Sequence, residues 1–283
     1  MTTLILGGSG QVGAAFRKLL PDALAPSHQD FDLADIDTIE DKVVALHPDR
    51  IINCAAYTAV DAAETDEATA NVVNGHAVGE LARVADGVGI PFVTFSTDYV
   101  FDGESTEPYD ESSRPNPVNA YGRSKLRGEQ AALEYPGSLV IRTSWLFSAT
   151  HPNFVATILT KATAAEVRVV DDQWGRPTPV GALAEMTLEA IDDGATGLLH
   201  LASPPTTTWL GLAREACAAA GLDPRVATPC SSDDFVRPAR RPRCGVLRTT
   251  SGYAMPDWRT ELAAVAAELA GTTPVDHAAV GDG

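Results

Sequence analysis

Leu4-Ile5-Leu6-Gly7-Gly8-Ser9-Gly10-Gln11-Val12-Gly13 decides the fold. A short apolar run enters a glycine turn, and an amphipathic stretch from Gln11 to Leu20, closed by Pro21, leaves it. That order reads strand, tight turn, helix. The spacing Gly7-x-x-Gly10-x-x-Gly13 suits a backbone that must bend sharply and approach a pyrophosphate. The helix that follows offers unpaired N–H groups and the positive end of its dipole to the phosphates. Glycines that only pack a helix on a sheet would be spaced similarly, but the position at the first strand favours a dinucleotide. No Gly-Lys-Ser/Thr is present, which argues against a nucleoside-triphosphatase loop.

Working outward, the alternation continues. Helical patterns cover Val43–Leu46, Ala68–Val88 and Tyr121–Glu134, and apolar strand-like runs cover Arg50–Ala56, Pro91–Ser96 and Leu139–Arg142. Strands alternating with helices predict an α/β, Rossmann-type doubly wound parallel sheet. After Trp145 the rhythm loosens. Helices are expected at Asn153–Ala165, Ala182–Ile191, Thr208–Gly221 and Glu261–Leu269, with strands at Val167–Val170 and Gly197–Leu201. The stretch Leu222–Pro256 reads as irregular. The division that follows is a dinucleotide-binding domain over 1–147, rejoined by 176–203. A smaller C-terminal substrate-binding lobe takes 148–175 and 204–270, and 271–283 forms a flexible tail.

The chain has 283 residues and a formal charge of −17, from 21 Lys+Arg and 38 Asp+Glu. Such acidity repels phosphate backbones and anionic lipid, so no nucleic acid and no membrane partner is expected. A small anionic ligand needs only a local site. The 23 Asp and 15 Glu stand against 17 Arg and 4 Lys. Codon bias and salt adaptation both produce that texture. Cys54, Cys217, Cys230 and Cys244 form no CxxC pair and no zinc spacing, so no metal site is predicted. Cys54 lies in an apolar run and reads as a small core residue. With no disulfide framework, no apolar run near the roughly 20 residues of a membrane span and no basic leader, a cytoplasmic location is expected.

Two further constellations carry chemistry. In Tyr121-Gly122-Arg123-Ser124-Lys125 the phenol and the ammonium share one helix face at i and i+4. A nearby ammonium favours the phenolate and lowers the phenol pKa toward a useful range. Ser96-Thr97-Asp98-Tyr99-Val100-Phe101 follows a strand, and strand C-termini face the ligand crevice of an open parallel sheet. A hydroxyl there can hydrogen-bond a substrate carbonyl, or simply cap a loop. Near the expected end of the second strand the chain reads Ala25-Pro26-Ser27-His28, with Asp30 and Asp32 where a third strand should begin. Ser27 and His28 could meet a 2′-phosphate, so NADPH is expected, with NADH possible.

These motifs together resemble the extended short-chain dehydrogenase/reductases. Asn53-Cys54-Ala55-Ala56-Tyr57-Thr58-Ala59-Val60-Asp61, Arg142-Thr143-Ser144-Trp145 and Asp172-Gln173-Trp174-Gly175-Arg176-Pro177-Thr178 narrow this further. With Thr207-Thr208-Trp209, Arg241-Pro242 and Pro256-Asp257-Trp258 they resemble the dTDP-4-dehydrorhamnose reductase family over about residues 3–270. The resemblance implies NADPH-dependent reduction of the C4 ketone of dTDP-4-dehydro-6-deoxy-L-mannose to dTDP-L-rhamnose. It implies Tyr121 as proton donor, Lys125 holding the nicotinamide ribose, and Thr97 placing the carbonyl. It further implies cofactor contacts at Gly7, Gly10, Gln11, Val12, Asp32, Leu33, Ala55, Ala56, Tyr57, Tyr121 and Lys125. The nucleotide-sugar substrate is expected to meet Thr58, Val60, Tyr99 and Trp145.

Some positions depart from the family pattern. Nucleotide-sugar dehydratases resemble this turn with Thr-Asp-Glu, whereas Tyr99 follows Asp98 here, which argues against net dehydration. Some family members dimerise through a magnesium ion held partly by a Glu where this chain has Ala15, so monomer or homodimer stays open. A late Arg-Pro-x-Asn-Ser pattern reads Arg241-Pro242-Arg243-Cys244-Gly245. Arg237, Arg240, Arg241 and Arg243 could serve a pyrophosphate or pair with surface carboxylates. Two alternatives follow: a reductase of another nucleotide-linked 4-keto-6-deoxy sugar, of dihydrostreptose type, or a non-catalytic NADP-binding regulatory subunit.

Overall fold

The computed structural model describes residues 1–271. Its strands are β1 (Thr3–Leu6), β2 (Arg50–Asn53), β3 (Phe92–Thr97), β4 (Ser138–Thr143), β5 (Leu146–Phe147), β6 (Val167–Val170), β7 (Trp174–Gly175), β8 (Thr178–Pro179), β9 (Gly197–His200), β10 (Thr207–Thr208) and β11 (Ala227–Cys230). Its α-helices are α1 (Gln11–Leu19), α2 (Ile39–Leu46), α3 (Val60–Ala63), α4 (Glu67–Asn71), α5 (Ala77–Val88), α6 (Ala120–Ala132), α7 (Phe154–Ala162), α8 (Val180–Asp192), α9 (Trp209–Ala219) and α10 (Trp258–Gly271). The tail expected over 271–283 lies, from residue 272, outside the described residues, and Gly271 closes α10.

Five parallel strands form the main sheet in the order β1-β2-β3-β4-β9. Alternate residues of each strand point to opposite faces. Leu4, Leu6, Ile51 and Val140 pack on one side with Val43 of α2 and Leu81 of α5. Ile5, Ile52, Val93 and Ile141 pack on the other with Phe16 of α1 and Leu183 of α8. Helices cover both faces, which is why the strands read as unbroken apolar runs.

Beyond β1 the expected second strand shrinks to a single parallel bridge between Leu4 and Leu24. The third strand anticipated at Asp30–Asp32 is absent among the described residues; this stretch folds as turns. Short-range bonds explain it. The Ser27 hydroxyl donates to Asp30 Oδ2 at 2.6 Å, and the Ala34 amide donates to Asp32 Oδ1 at 2.8 Å. Asp and Ser side chains that bond locally compete with ladder formation.

The helix expected over Ala68–Val88 is interrupted by a π-helical turn at Val72–His76. Such turns often mark functional sites. Here Asn74 is buried and bonds the Tyr57 N–H at 2.8 Å, the Tyr57 carbonyl at 3.0 Å and the Ser124 hydroxyl at 2.9 Å. It ties the segment after β2 to α6.

Helices α7, α9 and α10 enclose a second core of Phe147, Val155, Leu159, Leu212, Trp258 and Leu262. The stretch Leu222–Pro256, expected to be irregular, contributes β11, which runs parallel to β6. Thr208 caps α9 by accepting from the Gly211 amide at 3.1 Å. All four cysteines are free thiols. Cys54 is half-buried at the margin of the sheet core rather than within it. No helix among the described residues is long and apolar enough to cross a membrane.

Candidate active site

The C-terminal ends of β1 and β2 meet at the glycine turn. Gly7 has φ +72°, and a Cβ there would lie 2.6 Å from the Ala55 backbone nitrogen. A Cβ on Gly13 would lie 2.2 Å from the Gly7 carbonyl oxygen. Both positions exclude any larger residue, for reasons of backbone approach alone. The Gly10 amide donates to the Gly7 carbonyl at 3.0 Å and closes the turn. Gly10 caps α1 without a side-chain bond, so the first-turn amides keep their capacity for an anion.

A cavity of about 360 Å³ opens beside this turn. Of the predicted cofactor residues, Gly7, Asp32, Leu33, Ala55, Ala56 and Tyr57 line it. Gly10, Gln11 and Val12 lie at the start of α1, outside that lining. Gln11 Oε1 instead accepts from the Ser148 hydroxyl at 3.2 Å, joining the glycine turn to the segment before α7. The glycine cradle, uncapped helix and adjacent cavity fit a dinucleotide.

The other half of the site is built on β3 and α6. Asn119 caps α6, accepting from the Gly122 amide at 2.7 Å while its own amide donates to the Arg240 carbonyl at 2.8 Å. Gly122 lets α6 start against the end of β3, since a Cβ there would sit 2.1 Å from the Tyr99 carbonyl oxygen. Tyr121 and Thr97 come together at this junction, and Lys125 is buried on the same helix face, 5 % exposed. Tyr99 packs edge-on against Tyr121, with centroids 5.9 Å apart and planes at 83°.

The electrostatics differ from the sequence expectation. Burial, reinforced by Asp98 and Tyr99, pushes the Tyr121 phenol above its ordinary range, with the Thr97 hydroxyl acting in the opposite direction. Lys125 does not enter that balance. Burial draws its own pKa down to about 8, while Glu129 holds it up. The cost of a buried phenolate therefore outweighs the lowering anticipated from the i,i+4 spacing.

Asp98, which the sequence reading quoted without a role, is buried and pushed up to about 7 by burial, with the Thr97 hydroxyl opposing. Thr97 Oγ1 donates to Asp98 Oδ1 at 3.1 Å and accepts from the Tyr99 amide at 3.2 Å. A Cβ on Gly245 would lie 2.2 Å from Asp98 Oδ2. The loss of Ser from the late family pattern thus leaves room for this carboxyl. Asn74 was also missed; a polar residue followed by Gly75 inside an apolar helical run was the available signal.

The remaining predicted substrate residues stand on separate segments of the fold. Thr58 is exposed and Val60 opens α3. Trp145 has φ +50°, unusual for a residue with a bulky side chain, and stacks on Trp209 at 3.6 Å and 8°. Gly175 lies against the Trp145 indole, where a Cβ would fall 2.4 Å from the ring. The late arginines divide: Arg240 pairs with Glu104 at 2.7 Å, and Arg241 with Asp61 at 3.0 Å. Arg241 also lies 5.7 Å from the Tyr99 ring, and its Nη1 is buried without a partner.

Comparison with known proteins fits this geometry. The RmlD substrate binding domain family matches residues 1–270. A Burkholderia thailandensis protein described as dTDP-4-dehydrorhamnose reductase is 39 % identical, covering 92 % of this chain and 96 % of its own. A Streptomyces niveus protein described as dTDP-4-keto-6-deoxy-D-glucose reductase is 37 % identical, covering 97 % of this chain and 92 % of its own. The crystal structure of dTDP-4-dehydrorhamnose reductase from Bacillus anthracis in complex with NADP superposes with a TM-score of 0.90 at 31 % identity, covering 94 % of this chain and 99 % of that one.

Proposed function

This chain belongs to the RmlD substrate-binding-domain family, the dTDP-4-dehydrorhamnose reductases of the extended short-chain dehydrogenase/reductase fold, and from that membership we propose that it reduces the C4 ketone of dTDP-4-dehydro-6-deoxy-L-mannose to dTDP-L-rhamnose with NADPH. The observation that carries the reading is the meeting of Thr97 and Tyr121 at the β3–α6 junction, with Lys125 on the same helix face.

When bound, NADPH supplies the hydride; the chain supplies the rest. Gly7, Gly13, Ala55 and Ala56 give the dinucleotide its close backbone approach. The phenol of Tyr121, held protonated at neutral pH by its raised pKa, donates its proton to the oxygen that becomes the C4 hydroxyl. The Thr97 hydroxyl, which donates to Asp98 in this structure, turns its proton to the same oxygen as charge grows there. Lys125, buried on the same face of α6, holds the nicotinamide ribose. The Tyr121 phenolate then takes a proton from solvent to complete the cycle.

The test is NADPH oxidation with a panel of dTDP- and GDP-linked 4-keto-6-deoxy sugars. The largest kcat/KM is expected with dTDP-4-dehydro-6-deoxy-L-mannose. The Streptomyces niveus relative, almost as similar as the Burkholderia one, favours a second reading in which another dTDP-4-keto-6-deoxy sugar is preferred. Higher kcat/KM with the gluco-configured ketone decides for that reading, and no oxidation with any of them refutes both.

Lys125 makes the site pH-dependent. Its charge is present below about pH 8 and lost above. NADPH affinity, followed by fluorescence, is expected to be flat below about pH 7.5 and to weaken above about pH 8, where the ammonium deprotonates. In Lys125→Met this break should vanish; its persistence would assign it to another group.

A further inference from the structure

We propose that Arg17 reads the 2′-phosphate that distinguishes NADPH from NADH. The inference rests on the cofactor reading above and deepens it. An enzyme selective for NADH places a carboxylate after its second strand, where it clasps the ribose 2′-hydroxyl and repels a phosphate. Here the chain leaves the Leu24 bridge through Ala25-Pro26, and neither residue can do either.

The nearby acids are turned to local use. Asp30 accepts from Ser27, and Asp32 is folded back on the Ala34 amide. The same bond removes Ser27 from the role the sequence suggested for it, and Ser27 is not part of the cavity lining. Pro26 and His28 do line the cavity, as does Gly8 from the glycine turn.

Arg17 projects from α1 to this same wall. A Cβ built on Gly8 would lie 3.1 Å from Arg17 Cδ and 2.9 Å from Ala25 Cβ. The aliphatic stem therefore crosses the turn at Gly8, beside Ala25, and the guanidinium begins one bond further on. On this acidic surface Arg83, Arg123, Arg168 and Arg240 are each held by a carboxylate. Arg17 takes part in no ion pair among the described residues. A guanidinium kept off carboxylates in a chain of charge −17, at the rim of an anion-binding turn, is suited to a phosphate dianion by its fork of donors.

The experiment measures dissociation constants by calorimetry for NADPH, NADH, 2′,5′-ADP and 5′-AMP, with the full chain and with Arg17→Gln. Arg17 is exposed, so the variant should melt like the parent. The expected result is a loss of about tenfold for NADPH and for 2′,5′-ADP, with NADH and 5′-AMP unchanged within about twofold. Arg17→Glu should deepen the loss for the phosphorylated pair alone. Equal losses for both dinucleotides, or unaltered NADPH binding, would overturn the inference while leaving the reductase reading intact. A parent chain that binds neither dinucleotide would overturn both.

Discussion

Tyr121→Phe is expected to lower turnover by about 10²-fold or more while leaving NADPH binding within about twofold. The substitution removes one oxygen and keeps the ring. The edge-on contact with Tyr99 and the packing against Ala63, Ala70 and Ala120 are made by carbon atoms and survive. The lost atom, beside Thr97, is the one that the proposed mechanism uses as the acid. Thr97 and Asp98 cannot replace it without moving, because Thr97 is already engaged by Asp98 Oδ1 and the Tyr99 amide. A loss confined to kcat, with the dissociation constant for NADPH unchanged, separates a missing acid from a damaged site. Near-normal turnover in this variant would refute the role given to Tyr121.

Glu129→Gln should cost about 3–5 kcal/mol of stability, because it strands a buried charge. Glu129 lies one turn beyond Lys125 on α6. It receives both arms of Arg142 from β4, at 2.8 and 2.6 Å, with the two side chains 2 % and 3 % exposed. Arg142 also meets His200 Nε2 at 3.3 Å and lies 5.0 Å from the Phe101 ring. His200 is drawn down to about 4 by burial and by Arg142, so it stays neutral and offers no compensating charge. Removing the carboxylate leaves the guanidinium without an anion, and a fall in melting temperature on the order of 10 °C follows. The double variant Glu129→Leu with Arg142→Met removes both charges and should recover most of that loss. A single variant as stable as the parent would show that the pair is solvated and not structural.

The glycine turn, the alternating strands and helices, and the Tyr-x-x-x-Lys face were legible in residues 4–13, 50–56, 91–97 and 121–125. Each rests on interactions within a few residues of chain, which sequence spacing reports directly. The missing third strand was not legible, because Ser27 and Asp30 chose one another, and Asp32 the Ala34 amide, over a ladder, and propensity does not rank those rivals. Asn74 was hidden by a π turn that packs closely on another helix: a Cβ on Gly128 would meet the Asn74 carbonyl oxygen at 2.0 Å.

By itself, then, the sequence determined a parallel α/β fold, a dinucleotide cradle and a phenol–ammonium pair, all of them local patterns. Only the tertiary structure decided the charge states. Burial set the phenol of Tyr121 high, Lys125 low and Asp98 near neutrality, against the sign that spacing alone suggested for Tyr121. The fold also set Arg17 against Gly8 beside Ala25 while Ser27 closed on Asp30. Desolvation depends on what surrounds a group from every side, and those surroundings come from segments far apart in the chain.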